Sequence, residues 1–265
     1  MSELSVESIT AALETTWVGR RVVYHPATGS TNDEAKRLAE AGAAEGTLVI
    51  TDHQTAGRGR LDRWWWSPPG SGLLLSLVFR PAFLAPHQAQ RLTMVCSLAV
   101  CDAVAEVTGL ATAVKWPNDV LVDGRKVCGL LAELGLVGSR LDYVVLGIGL
   151  NVNVSFLEDD APALMAPATS LKAAVGREVS RLKVLAALLG YVEARYERLR
   201  GGALPHDEWQ THLATVGQTV QVTMPGRVLT GLATGVDADG ALLVRRTDGE
   251  VERVLAGDVT LRGAG

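Results

Sequence analysis

Cysteine and long apolar runs are scarce in this sequence. Its 265 residues include three cysteines, at positions 96, 101 and 128, and none of them forms a C-x-x-C pair. This spacing disfavours a disulfide framework and a structural zinc site. No apolar stretch approaches the ~18 residues that span a bilayer. The first residues also lack the basic and apolar regions of a secretory signal. We therefore expect a cytoplasmic protein with no membrane partner.

Excess positive charge is missing as well, since the formal net charge is −4. General binding to nucleic acid needs a basic face, so we expect no nucleic-acid partner. Of the 25 basic residues, five are lysines, which makes each lysine worth examining. The hydrophobic fraction of 48% is enough to form a core and excludes a disordered chain.

The chain alternates predicted helices and strands up to about residue 200. Thr31-x-x-Glu34 predicts a capping box that opens a helix, and Asp123-Gly124 predicts a hairpin with a type I′ turn. The predicted helices cover 4–14, 31–42, 87–108 and 180–200, and the predicted strands cover 21–25, 47–53, 73–79, 113–116 and 143–154.

The composition changes from about residue 214 onward. Five short strand-like runs follow, separated by turns at 224–227, 239–240 and 248–249, and no tryptophan or lysine occurs there. Short strands at such spacing predict a small SH3-like β-barrel. We therefore expect two domains, residues 1–213 and residues 214–265.

Two polar clusters of the first predicted domain lie outside the regular elements, one at a helix N-terminus and one in a long loop. Gly29-Ser30-Thr31-Asn32 lies at a helix N-terminus, where hydroxyl and amide groups hold a polar head group or an anion, or simply cap the helix. The stretch HQTAGRGRLDRWWWSPPG (53–70) places arginines between glycines that permit close backbone approach. Such runs also occur in solvated linkers, but three adjacent tryptophans disfavour that interpretation.

Two further clusters lie on predicted strands. Lys126 precedes Gly129 in K-V-C-G, so its ammonium group is expected to face a phosphoryl oxygen, unless it is a solvent-facing hairpin lysine. Strand alternation predicts Cys128 on the same face as Lys126, as a small buried residue rather than a nucleophile. Gly147 and Gly149 alternate in a buried strand, which favours either a groove for a slender apolar ligand or tight packing against a helix.

Together and in this order, the motifs resemble those of biotin protein ligases (biotin–acetyl-CoA-carboxylase ligases). The motifs are G-S-T-N (29–32), H-Q-T-A-G-R-G-R (53–60), K-W-P-N-D (115–119), K-x-x-G-L-L-x-E (126–133) and G-x-G-x-N-V-N (147–153). The resemblance implies an α+β core related to class II aminoacyl-tRNA synthetases, with a mixed sheet flanked by helices. The barrel agrees with that family's third domain. Because the motifs begin at Gly29, we expect the monofunctional type without an N-terminal DNA-binding domain.

The resemblance also implies roles for individual residues. The residues implied to bind biotin are Ser30, Thr31, Asn32, Gln54, Gly57, Arg58, Gly59, Arg60, Lys126, Gly129, Gly147 and Gly149. Those implied on the ATP side are Arg60, Arg63, Trp65, Asn118, Asp119, Lys126 and Asn151. Lys126, Arg60 and Arg58 are implied to be catalytic, and no residue is implied to bind metal.

The implied reaction consumes ATP, with Mg²⁺ held by the phosphates, and biotin as substrate. Biotinyl-5′-AMP forms and its biotinyl group passes to a lysine of a biotin carboxyl carrier domain, from acetyl-CoA carboxylase or another carboxylase. The nearest alternative is a lipoate ligase or octanoyl transferase of the same superfamily, the latter using Lys126 and Cys128. An alternative of another class is a non-enzymatic nucleic-acid or peptide-binding module. Whether the chain forms a homodimer is left open.

The loop departs from the family pattern in one place. A further Gly-Arg usually precedes the family's tryptophan, whereas this chain has Leu61-Asp62-Arg63. Asp62 at the glycine position bears on the loop's closed conformation, although Asp tolerates the left-handed region better than most residues. Trp64 and Trp66 have no counterpart role in the family pattern.

Overall fold

A seven-stranded mixed sheet forms the larger part of the molecule. The computed structural model describes residues 3–61, 63–156, 168–255 and 257–261. Across the sheet the strands are β1 (Val22–His25), β2 (Leu48–Thr51), β3 (Leu73–Phe79), β7 (Arg140–Leu150), β6 (Arg125–Val137), β5 (Asp119–Val122) and β4 (Ala113–Lys115). The β1–β2 pair is parallel, and the other neighbouring pairs are antiparallel.

Helices cover both faces of this sheet. They are α1 (Val6–Ala12), α2 (Thr31–Glu40), α3 (Gln90–Thr108), α4 (Leu171–Val175), α5 (Arg181–Arg200) and α6 (His206–His212). Alternate residues of β3 and β7 belong to two different core clusters, so α3 and α5 pack on one face and α2 packs on the other. No helix in the described ranges is long and apolar enough to cross a membrane.

Several predicted boundaries move in the structure. The predicted helix 87–108 begins as a short 3₁₀ turn, Pro86–Gln88, before α3. The predicted strand 143–154 is β7, which begins earlier because a second hairpin turns at Gly138 with φ 61°. The predicted type I′ turn is confirmed, since Asp123 and Gly124 both have positive φ, 49° and 72°.

The predicted capping box at Thr31 is wrong. The N-cap residue is Ser30, its side chain makes no capping hydrogen bond, and Thr31 is the first helical residue. The Thr31 hydroxyl instead donates to Gln54 Oε1 at 3.1 Å. The Thr31 hydroxyl, which the sequence pattern assigned to helix capping, therefore bonds to a residue of another loop instead.

The C-terminal part is a five-stranded antiparallel sheet, in agreement with the five predicted strands. Its order is β11 (Val251–Val254), β10 (Leu242–Arg245), β9 (Arg227–Val236), β8 (Thr219–Met224) and β12 (Asp258–Leu261). The fold is thus α+β, with helices on the large sheet and an antiparallel sheet at the C-terminus. The domain boundary at 213/214 stays a prediction.

The two sheets are joined by buried contacts. Trp116, which is 1% exposed, donates its indole N–H to the Gly240 carbonyl at 2.9 Å. Beside it, Arg91 forms an ion pair with Asp239 at 2.9 Å. These contacts fix the 237–241 turn of the C-terminal sheet against the N-terminal end of α3.

Candidate active site

Three glycines line one face of the large sheet beside α2. Gly129 of β6 lies opposite Gly149 of β7, and Gly147 lies two residues further along. A Cβ atom at Gly149 would lie 2.5 Å from Trp65 Cε2, and one at Gly147 would lie 2.2 Å from Asn32 Oδ1. The glycines therefore let side chains from a loop and from α2 lie flat on the strands. The indole of Trp65 and the amide of Asn32 lie in the groove formed by these glycines, so both sequence-based expectations, a groove and close packing against a helix, apply to this strip.

A buried polar network closes one end of this groove. The backbone N–H and the hydroxyl of Thr31 donate to Gln54 Oε1 at 2.8 and 3.1 Å. Ser76 Oγ lies 2.8 Å from Thr31 Oγ1 and 2.6 Å from Asn32 Oδ1. Thr31, Asn32 and neighbouring Ser30 are each 3% exposed. This end of the groove thus offers buried neutral hydroxyl and amide groups, which suits a polar, uncharged ligand group.

The network continues to Arg58 through a carboxylate. Asn32 Nδ2 donates to Glu133 Oε2 at 2.8 Å, and Arg58 Nη2 lies 2.9 Å from the same oxygen. Arg58 also pairs with Asp33 at 2.5 Å. Two acidic partners hold Arg58 beside the polar end of the groove.

Ser76, Asp33 and Glu133 are site residues that the sequence interpretation missed. Two of these residues could have been recognised from the sequence. Ser76 is the one polar residue in the strand LLLSLVF, and Glu133 ends the K-x-x-G-L-L-x-E motif.

Lys126 lies over Gly129 at the other end of the groove. Its Cε and Nζ atoms are 3.1 Å from the position that a Gly129 Cβ would take. Nζ is 2.7 Å from Asp119 Oδ1 and 5.3 Å from the centroid of the Trp65 ring. The buried Nε1 of Trp65 finds no acceptor within the described part of the chain. An ammonium group and a free indole N–H therefore meet at the charged end of the groove.

The prediction that Cys128 shares a face with Lys126 is wrong. Pairing of β5 with β6 places Val120 opposite Cys128 and Leu121 opposite Lys126, so a bulge at Val127 breaks the strand alternation. Lys126 thus shares the face of Gly129, and Cys128 packs in the core on the opposite side. Burial raises the pKa of the Cys128 thiol well above its ordinary value. A neutral thiol is a poor nucleophile, which supports the predicted role as a buried filler.

The loop 57–65 folds back on itself above the groove. Trp65 N–H donates to the Gly57 carbonyl at 3.0 Å, and Gly59 N–H donates to the Arg63 carbonyl at 2.7 Å. A Cβ atom at Gly57 would lie 2.4 Å from the Trp65 carbonyl oxygen, so the close approach requires glycine. Leu61 at the tip has φ 55°, and Asp62 lies outside the described residues. Trp64 is 59% exposed.

The two later arginines of the loop reach the C-terminal sheet. Arg60 donates to Asn118 Oδ1 at 3.1 Å and to the Gly257 carbonyl at 3.2 Å. Burial lowers the pKa of Arg60, against the opposing effects of Asp119 and Asp258. Arg63 pairs with Asp258, whose hydrogen bond raises the pKa of Arg63. Gly257 and Asp258 carried no recognisable signal in the sequence.

Two asparagines of the predicted nucleotide side are held by backbone groups. Asn118 Nδ2 donates to the Leu130 carbonyl at 2.6 Å, which leaves its oxygen for Arg60. Asn151 is 4% exposed and donates its side-chain amide to the Thr169 carbonyl at 3.1 Å. Thr169 N–H in turn donates to the Lys126 carbonyl at 2.9 Å. Asn118, Asp119, Arg60, Trp65 and Lys126 thus gather at one end, whereas Asn151 supports Lys126 through Thr169.

Comparison with known families defines the class of protein. Residues 24–151 match the Biotin/lipoate A/B protein ligase family, and residues 215–262 match the Biotin protein ligase C terminal domain. The first match includes the glycine-lined groove, its polar end and Lys126. The second includes Gly257 and Asp258.

Individual relatives narrow the class. A bifunctional ligase/repressor BirA from Bacillus subtilis (strain 168) is 35% identical over 262 residues, covering 98% of this chain and 79% of the relative. A biotin–[acetyl-CoA-carboxylase] ligase from Mycobacterium tuberculosis is 35% identical over 239 residues, covering 88% of this chain and 85% of the relative. A solved biotin protein ligase from Aquifex aeolicus in complex with biotin and ATP has a TM-score of 0.76 at 28% identity, covering 92% of this chain and 99% of that one. This chain belongs to the biotin protein ligase family.

Proposed function

We propose that the chain activates biotin with Mg-ATP as biotinyl-5′-AMP and transfers the biotinyl group to a lysine of a biotin carboxyl carrier domain. The relatives named as biotin–[acetyl-CoA-carboxylase] ligases support this reaction, as does the Aquifex aeolicus structure in complex with biotin and ATP. We also propose that the large sheet is of the class II aminoacyl-tRNA synthetase type and that the C-terminal sheet is an SH3-like barrel.

The observation that carries the proposal is the polarity of the groove. Its neutral end, built from Thr31, Asn32 and Gln54, suits the cyclic urea of biotin, which needs hydrogen bonds but no counter-charge. Its charged end, with Lys126 and Arg60, suits a carboxylate and a phosphoryl group. The flat strip over the three glycines lies between the two ends and suits an apolar chain. Ser30 and the 57–60 loop complete the proposed biotin site.

The charged end has the groups that phosphoryl transfer needs. Two anions, a carboxylate and ATP, must meet, so fixed positive charge and exclusion of water lower the barrier. Lys126 and Arg60 supply that charge, Arg58 orients the biotin side, and Asp119 holds Lys126 in place before the ligands bind. Trp65 and Asn118 form the proposed nucleotide side, with Asn151 supporting Lys126 behind it. The resemblance also implies Arg63 on the nucleotide side, whereas its ion pair with Asp258 favours a role within the loop. The described residues contain no group of three metal-binding side chains, and we propose that Mg²⁺ arrives with the ATP phosphates.

The acceptor step needs no nucleophile from the protein. Once the biotin carboxylate has displaced pyrophosphate from the α-phosphorus, the neutral ε-amine of the acceptor lysine attacks the biotinyl carbonyl carbon. AMP leaves and an amide forms. We propose a carrier domain of acetyl-CoA carboxylase or another biotin-dependent carboxylase as the acceptor.

Pyrophosphate release tests the substrate. With Mg-ATP and no acceptor, biotin should stimulate release up to one equivalent per protein, because the adenylate stays bound. Lipoate and octanoate at equal concentration should stimulate little or none. Release that is stronger with lipoate than with biotin would replace the proposal by the lipoate alternative.

A further inference from the structure

We infer that Asp258 is a positioning residue for the proposed reaction, and that it acts through Arg63. The ion pair between these two residues ties the 57–65 loop to the C-terminal sheet and thereby orients Arg60 over the charged end of the groove. Arg63 then serves the structure of the loop rather than contacting the nucleotide. This inference rests on the proposed function for its effect on catalysis, but not for its effect on the loop.

The two loop arginines differ in their partners. Arg63 is half exposed and is neutralised by a carboxylate, with Nη1 3.2 Å from Asp258 Oδ1 and Nη2 bonded to the second oxygen. Arg60 is more deeply buried and its two hydrogen-bond acceptors are neutral, an amide oxygen and a backbone carbonyl. An arriving phosphate would compete with Asp258 for Arg63, whereas it would find Arg60 without a directly bonded carboxylate. The charge available to an anion is therefore that of Arg60.

The anchor for this contact is rigid. Asp258 is the first residue of β12 and pairs with Thr223 of β8. The preceding Gly257 packs so closely that a Cβ atom there would lie 2.6 Å from Val222 Cγ1. The Gly257 carbonyl and the Asp258 carboxylate are thus held in fixed positions, one for each arginine.

The loop transmits this anchoring over a short distance. Arg63 N–H donates to the Arg60 carbonyl at 3.2 Å, and the Arg63 carbonyl accepts from Gly59 N–H at 2.7 Å. Fixing the Arg63 side chain therefore fixes the turn that carries Arg60. Two residues beyond Arg63, the Trp65 indole lies on Gly149. Loss of the Asp258 charge is expected to loosen the whole loop.

The rest of the C-terminal sheet is attached elsewhere. Arg91 pairs with Asp239, and Trp116 donates to the Gly240 carbonyl, both at the 237–241 turn. Removing the Asp258 charge should leave the sheet docked. Asp239→Asn is the matched control, because it removes an ion pair between α3 and the C-terminal sheet without touching the loop.

Proteolysis of the protein without added ligands tests the anchoring directly. Trypsin should cut Asp258→Asn after Arg58 and Arg60 about two- to fivefold faster than wild type, the range expected for one partly exposed ion pair. Asp239→Asn should be cut in the loop at the wild-type rate. Equal loop cleavage of Asp258→Asn and wild type would overturn the inference, whether or not the protein ligates biotin.

A charge exchange tests the catalytic consequence. With a carrier domain present as acceptor, so that the protein turns over repeatedly, Arg63→Asp and Asp258→Arg should each raise the KM for ATP about fivefold in biotin-dependent pyrophosphate release, with a smaller change in the KM for biotin. The double variant should recover most of the loss. A double variant as defective as Arg63→Asp would mean that Arg63 contacts the nucleotide itself, and the inference would be wrong. Absence of turnover in wild type would instead contradict the proposed function and leave the proteolysis result standing.

Discussion

At the scale of single residues, Lys126 is held by contacts with three other residues of the candidate site. Its side chain lies on Gly129, its ammonium group pairs with Asp119, and its backbone carbonyl accepts from Thr169. These contacts fix the ammonium group in one position above the glycine-lined strip. Within the proposed function, that position faces the phosphoryl group at the charged end of the groove.

Removal of the Lys126 ammonium group should therefore reduce adenylate formation. We predict that Lys126→Ala lowers biotin-dependent pyrophosphate release by roughly 10²–10³, the range for losing one preorganised charge-stabilising group. Lys172→Ala is the control, because Lys172 also forms an ion pair, with Glu178 at 2.6 Å, outside the site. Wild-type release from a folded Lys126→Ala protein would remove Lys126 from the mechanism.

The Cys128 thiol should be dispensable for turnover. It is completely buried, its pKa is raised by burial, and it lies on the face opposite Lys126. We predict that Cys128→Ala keeps kcat within about twofold of wild type and loses on the order of 1 kcal/mol of unfolding free energy, because a small core group is removed. Loss of turnover in a variant that unfolds at the wild-type denaturant concentration would support the octanoyl transferase alternative.

Much of the site at residue scale was predictable from the sequence, because its polar residues stand in short motifs at the ends of apolar segments. Ser76 and Asp258 were not predicted, for different reasons. Ser76 enters the site because β3 lies next to β7, a pairing between segments some 70 residues apart. Asp258 enters it because the C-terminal sheet folds back over the loop. Neither contact follows from local spacing.

At the scale of elements, the 57–65 loop is held both by its own hydrogen bonds and by contacts with other segments of the site. Its turn is closed by two internal hydrogen bonds and by the contacts of Arg60 and Arg63. Trp65 meanwhile lies on the groove floor that the proposed ligand needs. Ligand binding must therefore shift the indole or stack against it.

Ligands should protect this loop from trypsin. Arg58, Arg60 and Arg63 are trypsin sites, and an adenylate bound beneath the loop would add contacts to its arginines and tryptophan. We predict that biotin with Mg-ATP slows cleavage in 57–63 at least several-fold, while cleavage at other sites changes little. The same loop cleavage rate with and without both ligands would show that the loop does not close over the adenylate.

The elements themselves were predictable where periodicity and turn residues agree. The Asp123-Gly124 turn, the long helices α3 and α5 and the five C-terminal strands follow the sequence pattern. The bulge at Val127 does not, because one extra residue in a strand shows only when the partner strand is known. Because of this one residue, Lys126 and Cys128 lie on opposite faces of the strand instead of the same face.

At the scale of the whole molecule, the two sheets behave as one packed unit at the 237–241 turn. The Trp116 side chain is enclosed there, and its backbone N–H donates to Thr215 Oγ1 at 3.1 Å. The composition change near residue 214 indicated a separate C-terminal part but gave no sign of this contact. The Gly240 carbonyl could not be predicted as the partner of Trp116, because the two residues are far apart in the sequence.

Trp116 should therefore contribute to global stability. We predict that Trp116→Phe lowers the unfolding free energy by about 1–3 kcal/mol in a chemical denaturation experiment, because the buried Gly240 carbonyl loses its donor. Trp17→Phe is the control, since the Trp17 indole N–H donates to Glu197 at an exposed position, 2.9 Å away. An equal loss in both variants would contradict the view that the Trp116 contact joins the two sheets.

Attachment of biotin to a carrier lysine is the proposed activity on which the roles of all these residues depend. The most direct measurement is the mass of a biotin carboxyl carrier domain after incubation with the protein, biotin and Mg-ATP. A carrier whose acceptor lysine is replaced by arginine and a reaction without ATP serve as controls. We predict a gain of one biotinyl group on the intact carrier and none in either control. An unchanged carrier mass, under conditions where a known biotin ligase modifies it completely, would contradict the proposed activity.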